Sequence, residues 1–89
     1  MANIGYYKIN TGKEYKTYTE LTGETLEEGK LHIVQVQGGK IMAIMATETP
    51  TEGGFLVEQD EMFACTPKDG AQLYLKNVAA TDVFINIAN

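Results

Sequence analysis

The sequence predicts a small all-β domain, a sandwich or barrel of about eight short, mainly antiparallel strands. Three observations predict it. Apolar and polar residues alternate with period two along much of the chain from Tyr6 to Ile87, as expected of half-buried strands. Gly, Pro, Asn and Asp interrupt this pattern at short intervals, which is typical of sandwiches and barrels. The 89 residues fit a single domain, residues 1–89, and leave no room for a second.

Eight segments carry the strand pattern, and helical periodicity is nearly absent. The predicted strands are Tyr6–Ile9, Glu14–Thr19, Leu31–Gln37, Ile41–Thr47, Phe55–Glu58, Met62–Cys65, Gln72–Lys76 and Thr81–Ile87. The segment Thr25-Leu26-Glu27-Glu28 has the form of a helix capping box. Because Gly29 follows at once, we expect at most a single helical turn there.

The segment Gln37-Gly38-Gly39-Lys40 predicts a β-hairpin, because two glycines supply the positive φ of a two-residue turn. In that hairpin Val36 would face Ile41. One face would then be a core face, carrying Val34, Val36, Ile41, Ala43 and Met45. A second hairpin is predicted near the end of the sequence, where residues 72–76 and 81–87 are joined through a short connection at 77–80.

The opposite face of the first hairpin is apolar towards its base, with Leu31, Ile33, Met42 and Ile44. Strands that are apolar on both faces are usually covered on both faces. In a chain this small another subunit could supply the second cover, so these four residues form a candidate interface. The alternative is that another strand or loop of the same chain covers them.

The charge disfavours nucleic acid as a partner. The net charge is −5, and the seven basic residues are all lysine and scattered. Without arginine the chain lacks the bidentate fork that suits phosphate and guanine. The longest strongly apolar stretch, Ile41–Ala46, is far too short to span a membrane. Residues 1–5 lack the basic start and apolar run of a signal peptide, so we expect synthesis in a cytoplasm without classical export.

Catalytic and metal-binding motifs are weak. The chain has no serine, and its single cysteine and single histidine leave Cys65 with His32 as the one possible nucleophile and base pair. No motif supports that pair, and a structural role for both residues is the simpler interpretation. The acidic residues Glu48, Glu52, Glu58, Asp60 and Glu61 lie near predicted turns without the spacing of a calcium loop. We therefore expect no enzyme activity, no metal and no cofactor.

The tyrosines could provide a ligand-binding surface, whereas the glycine pairs do not match a phosphate-binding loop. Four tyrosines, Tyr6, Tyr7, Tyr15 and Tyr18, could form a surface that stacks on sugars or bases. Tyrosine is also a common strand residue. The pairs Gly38-Gly39 and Gly53-Gly54 lack the lysine and the following helix of a phosphate-binding loop.

The run Thr22–Val34, TGETLEEGKLHIV, resembles a phrase common in small phage head proteins, where a Gly-Glu-x-apolar-x-x-Gly segment leads into the first long strand. The ending Leu73–Asn77 followed by Thr81–Ile87 looks like the closing hairpin of such virion modules. The resemblance covers about half the chain, and its motifs are short. It implies a capsid decoration protein, a head-fibre anchor or a related minor structural protein, and it assigns no functional residue.

The expected function is therefore structural: a phage capsid decoration or minor head or tail accessory protein. Such a protein would form homo-oligomers, bind a capsid or other virion protein, and reside in the virion after synthesis in the host cytoplasm. The alternative is a small carbohydrate-binding β module that uses exposed tyrosines. A small enzyme of barrel type is a third class.

Overall fold

The computed structural model describes residues 3–79 and 81–89, with side chains from Gly5 onward. Within these residues the chain forms eight strands and one short helix. The elements are β1 Asn3–Ile9, β2 Lys16–Thr17, α1 Tyr18–Thr22, β3 His32–Gly38, β4 Ile41–Ala46, β5 Phe55–Val57, β6 Met62–Cys65, β7 Gln72–Asn77 and β8 Val83–Ala88. Each strand overlaps one of the predicted segments, so the all-β prediction is confirmed.

The strands form two four-stranded antiparallel sheets. Sheet A has the order β1-β8-β3-β6, and sheet B has the order β2-β7-β4-β5. Successive strands alternate between the sheets except at β4 and β5, which are paired neighbours in sheet B. Eight strands with this order and these crossings make a jelly roll, the sandwich built from two Greek keys. Of the two predicted architectures, the sandwich is the one observed.

Both predicted hairpins are wrong. Strand β3 pairs with β6 and β8, whereas β4 pairs with β5 and β7, so Val36 does not pair with Ile41. The segment around Gly39 instead carries the chain from sheet A to sheet B. Gly39 has φ +92°, and a Cβ there would lie 2.8 Å from Val83. Positive φ allows a tight arch between sheets as readily as a reverse turn within one. Strands β7 and β8 likewise lie in different sheets.

The core lies between the two sheets and contains the predicted core face. Val34 and Val36 of β3 and Ile41 and Ala43 of β4 are fully buried, although they approach one another from opposite sheets. Met45 is partly buried against the same cluster. Burial of each large aliphatic side chain stabilises the fold by roughly 1.5–3 kcal/mol. The inward residues were predicted correctly because the alternation records which side of a strand is buried, whatever strand lies beside it.

The helical turn forms at a different place from the one predicted. Helix α1 begins after Thr17, whose hydroxyl accepts from the Glu20 N–H at 3.1 Å while the Glu20 carboxylate accepts from the Thr17 N–H at 3.2 Å. This is a capping box, and it lies within the segment predicted as strand Glu14–Thr19. No helix forms at 25–28, where the Glu27 N–H donates to the imidazole of His32 instead.

Candidate functional site

The predicted interface is divided between two surfaces. Ile33 lies on the outer face of sheet A, and Met42 and Ile44 lie on the outer face of sheet B. Leu31 precedes β3 and is 47% exposed. Because β3 and β4 belong to opposite sheets, the four side chains do not form the single patch that the hairpin predicted.

The chain itself covers part of the outer face of sheet B. Tyr15 is buried there, with the Lys76 ammonium 4.7 Å from its ring centroid, and its hydroxyl donates to the Gly53 carbonyl in the β4–β5 connection. Tyr74, paired with Ile44, is also buried although it points outward. Intrachain cover, one of the two alternatives for the apolar outer residues, therefore accounts for this part of the surface.

A strongly apolar surface lies along one side of the sandwich. Strands β5 and β6 are the edge strands of sheets B and A on that side. Their residues Phe55, Leu56, Met62 and Phe63 form what we call the apolar edge. Phe55, Leu56 and Met62 are 65%, 51% and 64% exposed, and the Phe55 and Phe63 rings touch across the sheets with centroids 5.8 Å apart.

The apolar edge was missed by the sequence reasoning. The strands Phe55–Glu58 and Met62–Cys65 were predicted, but their position at the sheet edges depends on pairing that the sequence does not reveal. One signal was available, since Phe55 and Leu56 are consecutive large apolar residues in a strand too short to bury both. Two residues of the predicted interface adjoin this surface, because Met42 pairs with Leu56 and Ile33 pairs with Ala64 of β6.

A second surface is the outer face of sheet A. Tyr6 of β1 and Phe84 of β8 lie there with centroids 6.1 Å apart and planes 15° from parallel. Asn86 is paired with Tyr6 on one side and with Gln35 on the other, and the Gln37 side-chain amide donates to the side-chain oxygen Oε1 of Gln35. We call this surface the aromatic–amide face; its residues are Tyr6, Phe84, Asn86, Gln35 and Gln37.

The tyrosines do not share one surface. Tyr6 is 59% exposed, whereas Tyr15 and Tyr18 are buried and Tyr7 packs partly buried against the core. Tyr7 and Tyr18 meet edge to face at 6.1 Å. Of the four tyrosines, Tyr6 alone is in a position to stack on a ligand without rearrangement.

The structure brings His32 and Cys65 together as direct cross-strand partners on β3 and β6. Both side chains are buried. The imidazole Nδ1 bonds to the Lys30 carbonyl at 2.8 Å, and Nε2 accepts from the Glu27 N–H at 3.4 Å. Both ring nitrogens are therefore engaged by the backbone. Burial raises the pKa of the Cys65 thiol to about 11, the opposite of what a nucleophilic cysteine requires. The arrangement suits a structural pair.

Acidic residues are confined to the connections and to α1. All twelve Asp and Glu residues lie outside the eight strands. In the described part of the chain, no group of three His, Cys, Asp or Glu residues is arranged to hold a metal ion.

A pocket of about 250 Å³ lies beside α1, between Tyr18, Leu26, Pro67 and Leu73. No helix within residues 3–79 and 81–89 has the length and hydropathy needed to cross a bilayer.

The fold and surfaces define a small jelly-roll domain with an apolar edge and an uncovered sheet face. Comparisons of the chain with family models, curated proteins and solved structures found no significant match.

Proposed function

We propose that this protein is a structural assembly module: a capsid decoration protein, or a minor head or tail accessory protein, of a tailed phage. It is made in the host cytoplasm, associates with itself, and binds a larger protein shell of the virion. The observation that carries the proposal is the apolar edge, where Phe55, Leu56 and Met62 are each more than half exposed.

Such an edge favours a protein partner for two reasons. Leaving a large apolar side chain in water forfeits roughly 1.5–3 kcal/mol relative to burying it. Within the part of the chain that the structure describes, no further strand lies beside the outer edges of β5 and β6, and unprotected edges of this kind promote association. A partner that covers the edge would bury these apolar side chains and could also pair with the backbone groups of the edge strands.

Charge around the edge indicates the chemistry of the partner. The connection between β5 and β6 contains Glu58, Asp60 and Glu61, all exposed. A docking site with an apolar centre and basic residues at its rim would complement this arrangement. Jelly rolls serve in capsid proteins and also in lectins, so the fold alone does not choose a function. The resemblance of Thr22–Val34 to phage head proteins favours the virion.

The test compares Leu56→Lys and Met62→Lys with Thr49→Lys, which places the same charge on an exposed loop residue. Each protein is studied by light scattering alone and by co-sedimentation with capsid shells of the phage that encodes it. Wild-type protein and Thr49→Lys should bind shells. The two edge variants should fold normally, because their substituted positions face water, and should lose binding by about tenfold or more.

Two results would contradict the proposal. In the first, the wild-type protein stays monomeric and does not co-sediment with capsid shells, so it neither self-associates nor binds the proposed partner. Shell binding that is unchanged in both edge variants would place the contact elsewhere. The position of the gene offers an independent check, since a location beside a major capsid gene is expected and a location in a cellular metabolic operon is not.

A further inference from the structure

We propose that the aromatic–amide face is a binding site for a neutral oligosaccharide. This inference concerns a different surface from the apolar edge, and it goes beyond an assembly role. It rests on the ring pair Tyr6–Phe84, on the amides beside it, and on the charge of the surrounding surface.

The ring pair provides the apolar part of the site. Tyr6 is 59% exposed and Phe84 is 36% exposed, and their planes lie 15° from parallel. The rings stack on each other, which leaves Tyr6 as the more exposed aromatic surface of the pair. The C–H faces of a pyranose ring pack well on such a surface, because aromatic faces are apolar and carry partial negative charge.

The amides provide the polar part. Asn86 lies beside Tyr6 in the strand register and is flanked on the other side by Gln35. Among the described residues, the Asn86 Oδ1 atom has no hydrogen-bond partner although it is buried. The Gln37 side-chain amide donates to the side-chain oxygen Oε1 of Gln35, which orients both amides. A carboxamide offers a donor and an acceptor at once, and sugar hydroxyls need both.

The unsatisfied Asn86 oxygen distinguishes this face from an ordinary solvated sheet surface. Buried polar atoms are nearly always hydrogen-bonded, and an exception at the centre of an otherwise exposed face calls for an explanation. Asn86 is only partly buried, so rotation of its amide would bring this oxygen within reach of a ligand hydroxyl, which would supply the missing bond. A purely apolar partner would leave it unsatisfied, so a hydroxylated ligand fits better than an apolar protein surface.

Charge selects a neutral ligand. Among the described residues on the outer face of sheet A, Lys8 is the single charged side chain, and it is paired with Phe84 at one end of the face. One lysine does not form the basic groove that nucleic acid requires. The net charge of the chain is −5, which disfavours sulfated or carboxylated glycans.

The dimensions indicate a short oligosaccharide. Tyr6, Asn86 and Gln35 stand side by side on three adjacent strands. Neighbouring strands are about 4.8 Å apart, so the row extends roughly 10 Å, the length of about two pyranose units. The ligand would therefore lie across the strands, with one sugar ring over Tyr6 and the next over the amides.

The experiment screens the full chain against an array of neutral oligosaccharides built from hexoses and N-acetylhexosamines, with sulfated and sialylated glycans on the same array. The strongest hit is then titrated by NMR. Three variants are compared: Tyr6→Ala and Asn86→Leu on the face, and Phe55→Ala as the control. Phe55 is a similarly exposed aromatic residue that lies on the apolar edge. Circular dichroism verifies the folding of each protein, and Tyr6→Thr, which also removes the ring, replaces Tyr6→Ala if the latter fails to fold. Tyr6→Phe is added to separate the ring from its hydroxyl.

Wild-type protein should bind a neutral glycan, with shifts confined to residues of β1, β3 and β8. Tyr6→Ala and Asn86→Leu should each weaken binding by about tenfold or more, and Phe55→Ala should bind as the wild type does. Tyr6→Phe should keep most of the affinity, since stacking needs the ring and not its hydroxyl. Absence of any neutral hit, a preference for anionic glycans, or equal binding by Tyr6→Ala and wild type would overturn the inference.

The same variants separate this inference from the proposed function. If the aromatic–amide face instead binds protein, Tyr6→Ala will reduce oligomer mass or shell binding and no glycan will bind. If the assembly proposal alone fails, Leu56→Lys will have no effect on shell binding while glycan binding still depends on Tyr6.

Discussion

The backbone N–H of Asn77 donates to the hydroxyl oxygen of Thr11 at 2.8 Å, across 66 positions of sequence. The Asn77 side chain also donates to the carbonyls of Ile9 and Thr81, at 3.1 and 2.8 Å. Asn77 is 1% exposed and Thr11 is 2% exposed. The backbone and side chain of Asn77 together therefore tie the end of β1 and the β1–β2 connection to the β7–β8 connection.

Asn77→Ala should destabilise the fold by about 1–3 kcal/mol, because the buried Ile9 carbonyl and the partly buried Thr81 carbonyl lose the amide that donates to them. Urea unfolding followed by circular dichroism measures the change. Asn10→Ala is the matched control. Its amide is exposed and bonds to Asp82, and its loss should change stability by less than about 0.5 kcal/mol. Equal effects of the two substitutions would show that burial of Asn77 does not matter.

The contact of Tyr15 with the β4–β5 connection predicts a coupled pair. Gly54 has φ +114°, and a Cβ there would overlap the Tyr15 hydroxyl. Gly53 has φ +83° with open space around it, so Gly53→Ala should cost about 1–2 kcal/mol from backbone strain alone. Gly54→Ala should cost more.

The double variant tests the cause of that extra cost. Tyr15→Phe removes the overlapping hydroxyl, so Gly54→Ala should be less harmful in a Tyr15→Phe background, with a coupling of roughly 0.5–3 kcal/mol. Stabilities of the four proteins from urea unfolding complete the cycle. Strictly additive effects would mean that the overlap is relieved in some other way.

The buried thiol of Cys65 predicts a loss of stability in alkali. Burial raises its pKa from 9.0 to about 11, so between these values the folded chain holds a proton that the unfolded chain has released. The free energy of unfolding should therefore be unaffected by this group below pH 9 and fall as the pH rises towards 11. Burial likewise raises the pKa of Tyr18 to about 12, which extends the decline to higher pH.

In Cys65→Ala the free energy of unfolding should fall less steeply with pH in this range, because the thiol is absent. The comparison uses the change of the urea midpoint with pH in each protein, and not the absolute midpoints. The wild-type thiol should also react slowly with a disulfide reagent at neutral pH and quickly after unfolding. Rapid reaction of the folded protein would mean that Cys65 is accessible and ionised, and it would restore the case for a reactive cysteine beside His32.

The capping box at α1 predicts a local effect of acid. Hydrogen bonds from the backbone and hydroxyl of Thr17 lower the pKa of the Glu20 carboxyl. Its contribution to stability should be complete above its unfolded pKa and disappear as the pH falls through the lower folded value. Thr17→Ala should cost about 1 kcal/mol at neutral pH, and Thr19→Ala, inside the helix, should cost less. Urea unfolding at neutral and acidic pH checks both, and equal losses would argue against the cap.

The sequence was least informative about the candidate surfaces. Leu31, Ile33, Met42 and Ile44 were grouped because a hairpin register placed them on one face, and their separation follows directly from the different pairing of β3 and β4. Tyr6 was among the residues proposed to stack on a ligand. Its neighbour Phe84 and the amide of Asn86 were not, since these residues meet Tyr6 only through the pairing of the first and last strands.

The sequence by itself determined the eight strands and the side of each strand that faces the core, because alternation is a local property of a half-buried strand. It also determined where the chain turns sharply, because residues such as Gly39 accept positive φ at little cost. Only the tertiary structure decided which strands became neighbours. Backbone hydrogen bonds are the same for every pair of strands. Val34 and Ile85 of sheet A and Ile41 of sheet B are all buried in the same core, so burial does not select which strands become neighbours. The positions of the apolar edge and of the aromatic–amide face therefore depend on how two sheets close around one core, which no single segment encodes.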